Sequence, residues 1–211
     1  MTNKNRDKIL AFFDEAYPDV QGELTYQKDY ELLIAVVLSA QSTDKSVNQV
    51  TTKLFGDYPT FDALKTLKET DYAVYFKTLG LYRNKAKHIY QLVNMLDKDY
   101  QGRVPQDKES LMALPGVGIK TANVVRGELF KIPEIAVDTH VARVSKRLGF
   151  ATLDDQVNVI ESKLQTLIPQ KRWIKTHHQM IHFGRYFCKA KKPRCKECPL
   201  IDLCLEKKKN L

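Results

Sequence analysis

Helical periodicity runs through nearly all of the 211-residue sequence, and no stretch alternates apolar and polar residues as a β-strand would. Apolar residues return every three or four positions, and short polar turns separate one segment from the next. The predicted helical segments are 4–16, 29–40, 44–54, 61–67, 72–79, 84–97, 108–114, 119–130, 139–148, 154–167 and 172–187. The pattern predicts an all-α fold. Thr60, Asp71, Asp107 and Asp138 are expected to cap the helices that follow them.

Composition and charge narrow the class of protein. The 43% hydrophobic and 28% charged residues are typical of a globular protein and exclude disorder as the main state. The longest apolar run, 32–38, is far shorter than the roughly 18–20 residues of a membrane span, and the first residues lack the apolar stretch of a secretory signal. The formal charge of +9 indicates a polyanionic partner, usually nucleic acid.

All four cysteines lie within the last 24 residues, at Cys188, Cys195, Cys198 and Cys204. Disulfides would need an oxidising compartment, which we do not expect here, so a metal site is favoured. Zinc sites usually pair two short C-x₂₋₄-C knuckles. Only Cys195 and Cys198 form one, and the wider outer gaps favour a [4Fe–4S] cluster over zinc, with unligated cysteines third.

Basic residues surround these cysteines, because residues 185–211 carry nine Lys or Arg and three Asp or Glu. A solvated tail is the simplest interpretation of 207–209, but we expect the basic residues between the cysteines, including Lys191 and Arg194, to lie near phosphates.

A Pro-Gly turn at 114–118 separates two helical patterns. Gly116 and Gly118 permit positive φ and would leave backbone N–H groups uncovered at the start of the second helix, where the helix dipole favours an anion. The turn could hold a phosphate, although an ordinary helix–helix connection would use the same residues.

Two ionisable residues stand at helix N-termini. Lys120 lies in the first turn after the Pro-Gly turn, an unfavourable place for a cation. Its position and partial burial would favour the free amine, a nucleophile beside a bound phosphodiester, whereas the simpler interpretation is an exposed lysine that attracts DNA. Asp138 is most simply a helix cap, but its carboxylate could also stabilise a nearby positive charge.

Several segments together resemble the endonuclease III family of DNA glycosylases. Residues 114–125 are similar to its helix–hairpin–helix, 137–141 to its catalytic aspartate segment, and the cysteine spacing to its iron–sulfur loop. Segments 38–44 and 80–86 resemble two of its DNA-contacting segments. The motifs occur in order over nearly the whole chain.

The resemblance implies two helical domains that flank a DNA-binding cleft. A six-helix barrel over 22–132 would carry the helix–hairpin–helix at about 109–130. An iron–sulfur domain would combine 1–21 with 133–211 and hold its cluster in loop 188–204. The [4Fe–4S] ligands would be the four cysteines. We expect a monomer in the cytoplasm, associated with the nucleoid and not with a membrane.

The resemblance also implies the chemistry. Lys120 would attack C1′ of a damaged pyrimidine nucleotide, Asp138 would activate it, and the Schiff base would allow strand cleavage by β-elimination. The substrate would be duplex DNA with oxidised pyrimidines or abasic sites, and the damaged nucleotide would be flipped out. Gln41 and Leu81 would fill the gap, although without the resemblance they are a polar helix end and a minor core leucine. The amides of Gly116 and Gly118 would hold a phosphate, and Val117 between them would also contact DNA.

Two other functions fit parts of the sequence. A mismatch adenine glycosylase of the same superfamily would share the cysteine loop, but it would need a catalytic Glu near Ala35 and would lack Lys120. A non-catalytic iron–sulfur DNA-binding protein would use the hairpin and the cluster but would leave Lys120 and Asp138 without a role.

Overall fold

The computed structural model describes all 211 residues, and every regular element in it is helical, as predicted. The α-helices are α1 (Asn3–Ala16), α2 (Asp29–Leu38), α3 (Asp44–Asp57), α4 (Phe61–Leu64), α5 (Glu69–Phe76), α6 (Tyr82–Tyr100), α7 (Lys108–Ala113), α8 (Ile119–Phe130), α9 (Thr139–Arg147), α10 (Val157–Leu167) and α11 (Trp173–His182). Short 3₁₀ turns lie at Gln170–Arg172, Cys195–Glu197 and Ile201–Leu203, and a π-helical segment spans Phe183–Phe187. None of the helices has both the length and the apolar character needed to cross a membrane.

The chain forms two compact units, each with its own apolar core. The central unit is Glu23–Phe130, and the terminal unit combines Met1–Gly22 with Lys131–Leu211. Helix α2 is buried along almost its whole length in the core of the central unit, as its apolar sequence predicts. The names barrel domain and iron–sulfur domain remain predictions, because boundaries alone identify no function.

Polar contacts hold the two ends of the chain together within the terminal unit. The buried Gln179 side chain donates from Nε2 to the carbonyl oxygens of Phe13 and Tyr17, at 3.0 and 3.1 Å. Asp14 accepts two hydrogen bonds from Arg172, which lower the pKa of that carboxyl to about 2. These bonds join α1 to α11 and to the 3₁₀ turn before it, and they supplement the apolar core that the two distant segments share.

Several predictions of helix extent are wrong: α6 extends beyond both ends of the predicted 84–97, and α10 begins at Val157 and not at 154. Helix α5 begins at Glu69, so Asp71 lies inside the first turn, where its carboxylate accepts the Lys68 N–H at 2.8 Å. The helix predicted over 61–67 ends at Leu64. The helix predicted over 172–187 divides into a 3₁₀ turn, α11 and the π-helical segment.

Tertiary contacts accompany this last difference. A Cβ on Gly184 would lie 3.0 Å from Cβ of His140, so the π-helical segment passes very close to α9. The Gly184 carbonyl oxygen also accepts a 2.7 Å hydrogen bond from Arg143. Apolar periodicity carries no information about either contact.

Candidate functional site

The helix–hairpin–helix of the central unit consists of α7, the turn 114–118 and α8. Gly116 has φ of +81°, and a Cβ there would lie 3.0 Å from Cγ1 of Val37 and 3.2 Å from Cβ of His88. Conformation and packing therefore both require glycine at this position. The Val117 N–H donates to the Leu114 carbonyl at 3.1 Å, and the Val117 side chain is buried. The Val117 N–H is already hydrogen-bonded within the turn, so the amides available to a phosphate are those of its neighbours Gly116 and Gly118.

Gly118 has a different role from Gly116. Glycine permits positive φ at both positions, but only Gly116 adopts it. The Gly118 carbonyl accepts the Ala122 N–H at 2.9 Å, which makes Gly118 the N-cap residue of α8, and a glycine offers no side chain to cap the helix. A Cβ at Gly118 would meet no atom within 4 Å. The start of α8 is therefore open to a bound group.

Lys120 lies in the first turn of α8, which contains no acidic residue. Its side chain is exposed, so the partial burial expected from sequence is wrong. The cation opposes the helix dipole without a carboxylate in its own turn to compensate. A cation at a helix N-terminus lowers the stability of the fold, and such local costs are typical of residues that act on a ligand.

Asp138 is the N-cap residue of α9 in the terminal unit, as predicted. Its Oδ1 atom accepts the Val141 N–H at 2.7 Å, and the half-buried side chain follows the buried segment 135–137. The cap engages one of the two carboxylate oxygens. Asp138 can therefore begin the helix and still present negative charge to another group.

Gln41 and Leu81 are the next pair of predicted site residues, and both lie in the central unit. Each adopts a left-handed backbone, with φ of 54° and 56°, although neither is glycine. This conformation costs an ordinary residue roughly 1–2 kcal/mol. Both side chains are exposed, and Leu81 is 57% accessible, so it is not a core residue. Backbone strain of this kind clusters at functional sites, although Gln101, Lys131 and Lys192 share the conformation here.

Sequence reasoning missed one residue beside this pair. Lys85 is only 5% accessible, and its Nζ donates to Oγ of Ser42 at 2.6 Å. Burial lowers the pKa of the Lys85 ammonium. The spacing of Lys85 with Ile89 and Leu92 places it on the apolar face of α6. A lysine on that face is the feature of the sequence that could have identified it.

The four cysteines of the terminal unit are unpaired, and all of them line one cavity. Cys195 is buried and the other three are half-buried. Arg147 lines the same cavity, with its Nη1 atom 3.3 Å from Sγ of Cys188. Burial raises the pKa of the Cys188 and Cys198 thiols. No three or more His, Cys, Asp or Glu side chains converge on a position for one metal ion.

The basic residues between the cysteines differ in their surroundings. Lys191 is exposed, as expected for a phosphate contact. Arg194 is also exposed, but its guanidinium forms an ion pair with Glu197 and lies 5.0 Å from the centre of the Phe187 ring. The charge of Arg194 is therefore partly compensated within the chain.

Comparison with known proteins identifies the class first. The family model of the HhH-GPD superfamily of base excision DNA repair proteins matches residues 34–170, which include the hairpin and Asp138. Endonuclease III of Bacillus subtilis (strain 168) is 48% identical over 206 residues, which are 98% of this chain and 94% of that protein. Endonuclease III of Escherichia coli (strain K12) is 44% identical over 209 residues, 99% of each chain.

A solved structure is equally similar. The structure of a trapped endonuclease III–DNA covalent intermediate, an estranged-adenine complex, matches with a TM-score of 0.93 and 49% identity over 98% of this chain and 97% of that one. The chain therefore belongs to the endonuclease III family, and it is a base excision repair DNA glycosylase and abasic-site lyase.

Proposed function

We propose that this chain removes oxidised pyrimidines from duplex DNA with Lys120 as the nucleophile, and that it then cleaves the strand at the abasic site. The observation that carries the proposal is the start of α8. There an exposed lysine follows a cap residue with no side chain and open space around it. The trapped covalent DNA complex of a protein 49% identical to this chain supports a covalent mechanism.

The lysine amine would form a bond to C1′ of the deoxyribose as the bond from C1′ to the base breaks, and the base would leave with the bonding electrons. The sugar ring would then open to a Schiff base on Nζ of Lys120. Loss of a proton from C2′ would expel the 3′ phosphate and break the strand. Because the amine supplies the electron pair, the chemistry depends on one residue in its neutral form.

Asp138 would stabilise the positive charge that develops on the sugar and would help to activate Lys120. Its cap leaves one carboxylate oxygen for this task. Lys120 belongs to the central unit and Asp138 to the terminal unit.

Recognition of DNA would use backbone amides of the hairpin and the side chains of the two residues with a left-handed backbone. The amides of Gly116 and Gly118 would hold a phosphate at the start of α8. Gln41 and Leu81, which project from left-handed turns, would occupy the gap after the damaged nucleotide is flipped out. Lys191, and to a lesser extent Arg194, would contact phosphates. The target would be the bacterial chromosome in the cytoplasm.

We also propose that Cys188, Cys195, Cys198 and Cys204 hold a [4Fe–4S] cluster. Their shared cavity, their lack of disulfides and the guanidinium of Arg147 beside Cys188 fit four thiolates spread around a cubane. The cluster would fix the loop that carries the basic residues. Purified protein should be brown and contain about four irons, and a colourless protein with one zinc would contradict this assignment.

Borohydride trapping on duplex DNA with one abasic site tests the nucleophile. The unaltered chain should give a covalent adduct, and its absence would overturn the proposed mechanism. Ala35 disfavours the alternative function, a mismatch adenine glycosylase. That enzyme would need a carboxylate at this position, and Ala35 is a fully buried apolar residue of α2.

A further inference from the structure

Two turns of the central unit carry the residues proposed to enter DNA. The Gln41 turn comprises residues 39–43, after α2, and the Leu81 turn comprises residues 79–81, before α6. Each contains one exposed residue with a left-handed backbone. For a side chain to fill a gap on one strand while another separates the opposite strand, the two turns must keep a fixed separation.

The two turns lie against each other. A Cβ added to Gly80 would come within 3.6 Å of the carbonyl oxygen of Gln41, so the two turns lie close together with room for no more than a methyl group between them. Proximity alone does not prevent the turns from sliding or moving apart. Fixing the separation requires a directional bond from one turn to the other.

Lys85 supplies such a bond. Its backbone N–H donates to the Leu81 carbonyl at 3.0 Å, which is the first hydrogen bond of α6, and its Nζ donates to Ser42 Oγ at 2.6 Å. The Ser42 N–H donates in turn to Ser39, at 3.1 Å. A single residue thus holds the carbonyl of Leu81 and the neighbour of Gln41.

The fold alone gives little reason for a lysine here. The ammonium lies at the N-terminal end of α6, where the dipole disfavours a cation, and the first turn of α6 has no acidic residue. The side chain is almost completely buried in a position that periodicity assigns to an apolar residue. Burial also lowers the pKa of Lys85, because it removes water from around the ammonium group. Local costs of this kind are typical of functional positions.

We infer that Lys85 is a positioning residue, which holds the Gln41 and Leu81 turns in register through its bond to Ser42 and so enables the enzyme to flip the damaged nucleotide. This inference rests on the proposed function, because it assigns Lys85 a task in that reaction. Lys85 acts through Gln41 and Leu81 and does not touch the reacting atoms.

The test uses the full-length chain and four variants: Lys85→Met, Ser42→Ala, the double variant and Lys87→Met. Lys87 lies on the exposed side of α6, so its replacement removes the same charge without touching the turns. The substrate is a duplex with an oxidised thymine next to 2-aminopurine, whose fluorescence rises when its neighbour unstacks. Single-turnover excision is measured on this duplex and on a matched duplex whose lesion lies in an unpaired bubble.

Both single variants should lose most of the fluorescence rise and should excise the paired lesion at least about tenfold more slowly. The double variant should be no worse than either single variant, because both remove the same bond. The defect should shrink on the bubble, where no pair has to be opened. Lys87→Met should behave like the unaltered chain.

Normal fluorescence and excision by Ser42→Ala would overturn the inference, and so would an equal defect on the paired and bubble duplexes. If Lys85→Met melts at a lower temperature, Ser42→Ala decides the question, because it removes one oxygen and leaves the packing of α6 intact. Borohydride trapping with the unaltered chain distinguishes the two levels of proposal. No adduct would reject Lys120 as nucleophile, whereas an adduct together with normal flipping by Ser42→Ala would reject only the role of Lys85.

Discussion

The N-cap residue of α8 is Gly118, which has no side chain and has open space around it, whereas the N-cap residue of α9 is Asp138, whose carboxylate accepts a backbone N–H of its own helix. The first turn of α8 carries an exposed cation, Lys120. In the first turn of α9, the Asp138 side chain of the same chain accepts a hydrogen bond from a backbone N–H. This difference separates the two kinds of functional residue. At α8 a residue can be changed with little effect on folding, but at α9 the structural and chemical roles share one side chain.

Loss of the amine at α8 should have the largest effect. Lys120→Gln should abolish the borohydride adduct and nearly all excision, because no other nucleophile is placed in that turn. DNA binding and the melting temperature should change little, since Lys120 is exposed and the phosphate would be held by backbone amides. Lys87→Gln, on the exposed face of α6, is the charge-matched control. Residual adduct with Lys120→Gln would show that another amine reacts.

Replacing the carboxylate at α9 should have the next largest effect and should separate its two roles. Asp138→Asn keeps a cap, so stability should change little, but single-turnover excision should fall by several orders of magnitude because the charge near the sugar is lost. Asp138→Ala should lose the same activity and in addition about 1 kcal/mol of stability. Thermal melting and excision are measured on the same preparations. Near-normal excision by Asp138→Asn would leave only the capping role.

The two hairpin glycines should respond differently to alanine. Gly116→Ala should lose roughly 1–2 kcal/mol or more of stability, because a Cβ is strained at φ of +81° and would crowd Val37 and His88. Gly118→Ala should melt normally, because its Cβ meets only open space, but should bind all DNA sequences more weakly if a phosphate approaches there. Normal DNA affinity in Gly118→Ala would mean that the start of α8 is not a phosphate site.

Substitutions in the cysteine loop should have the smallest effect on DNA binding. The loop repeats the contrast, because one basic side chain is exposed and another is paired with a carboxylate. Lys191→Ala should lower the salt dependence of DNA binding by about one phosphate contact. Arg194→Ala should change it less, because Arg194 is paired with Glu197 in the free chain. Binding is measured across a series of salt concentrations. Equal changes for both variants would show that the Arg194–Glu197 pair opens on DNA.

The sequence by itself determined the helical class, the caps at Thr60, Asp107 and Asp138, and the family. These features are local. An N-cap side chain bonds to a backbone N–H within the next three residues, and a motif is recognised from the spacing of its residues along the chain. The sequence also indicated which residues deserve a functional test, because Lys120 breaks a local rule at a helix start.

Only the tertiary structure decided which groups are open and which are engaged. It gave Gly116 the left-handed backbone and Gly118 the open space, engaged the Val117 N–H and left Lys120 exposed. It also joined Lys85 to Ser42, residues 43 positions apart. Such facts depend on what distant segments place around a residue, and a pattern of neighbours along the chain does not contain them.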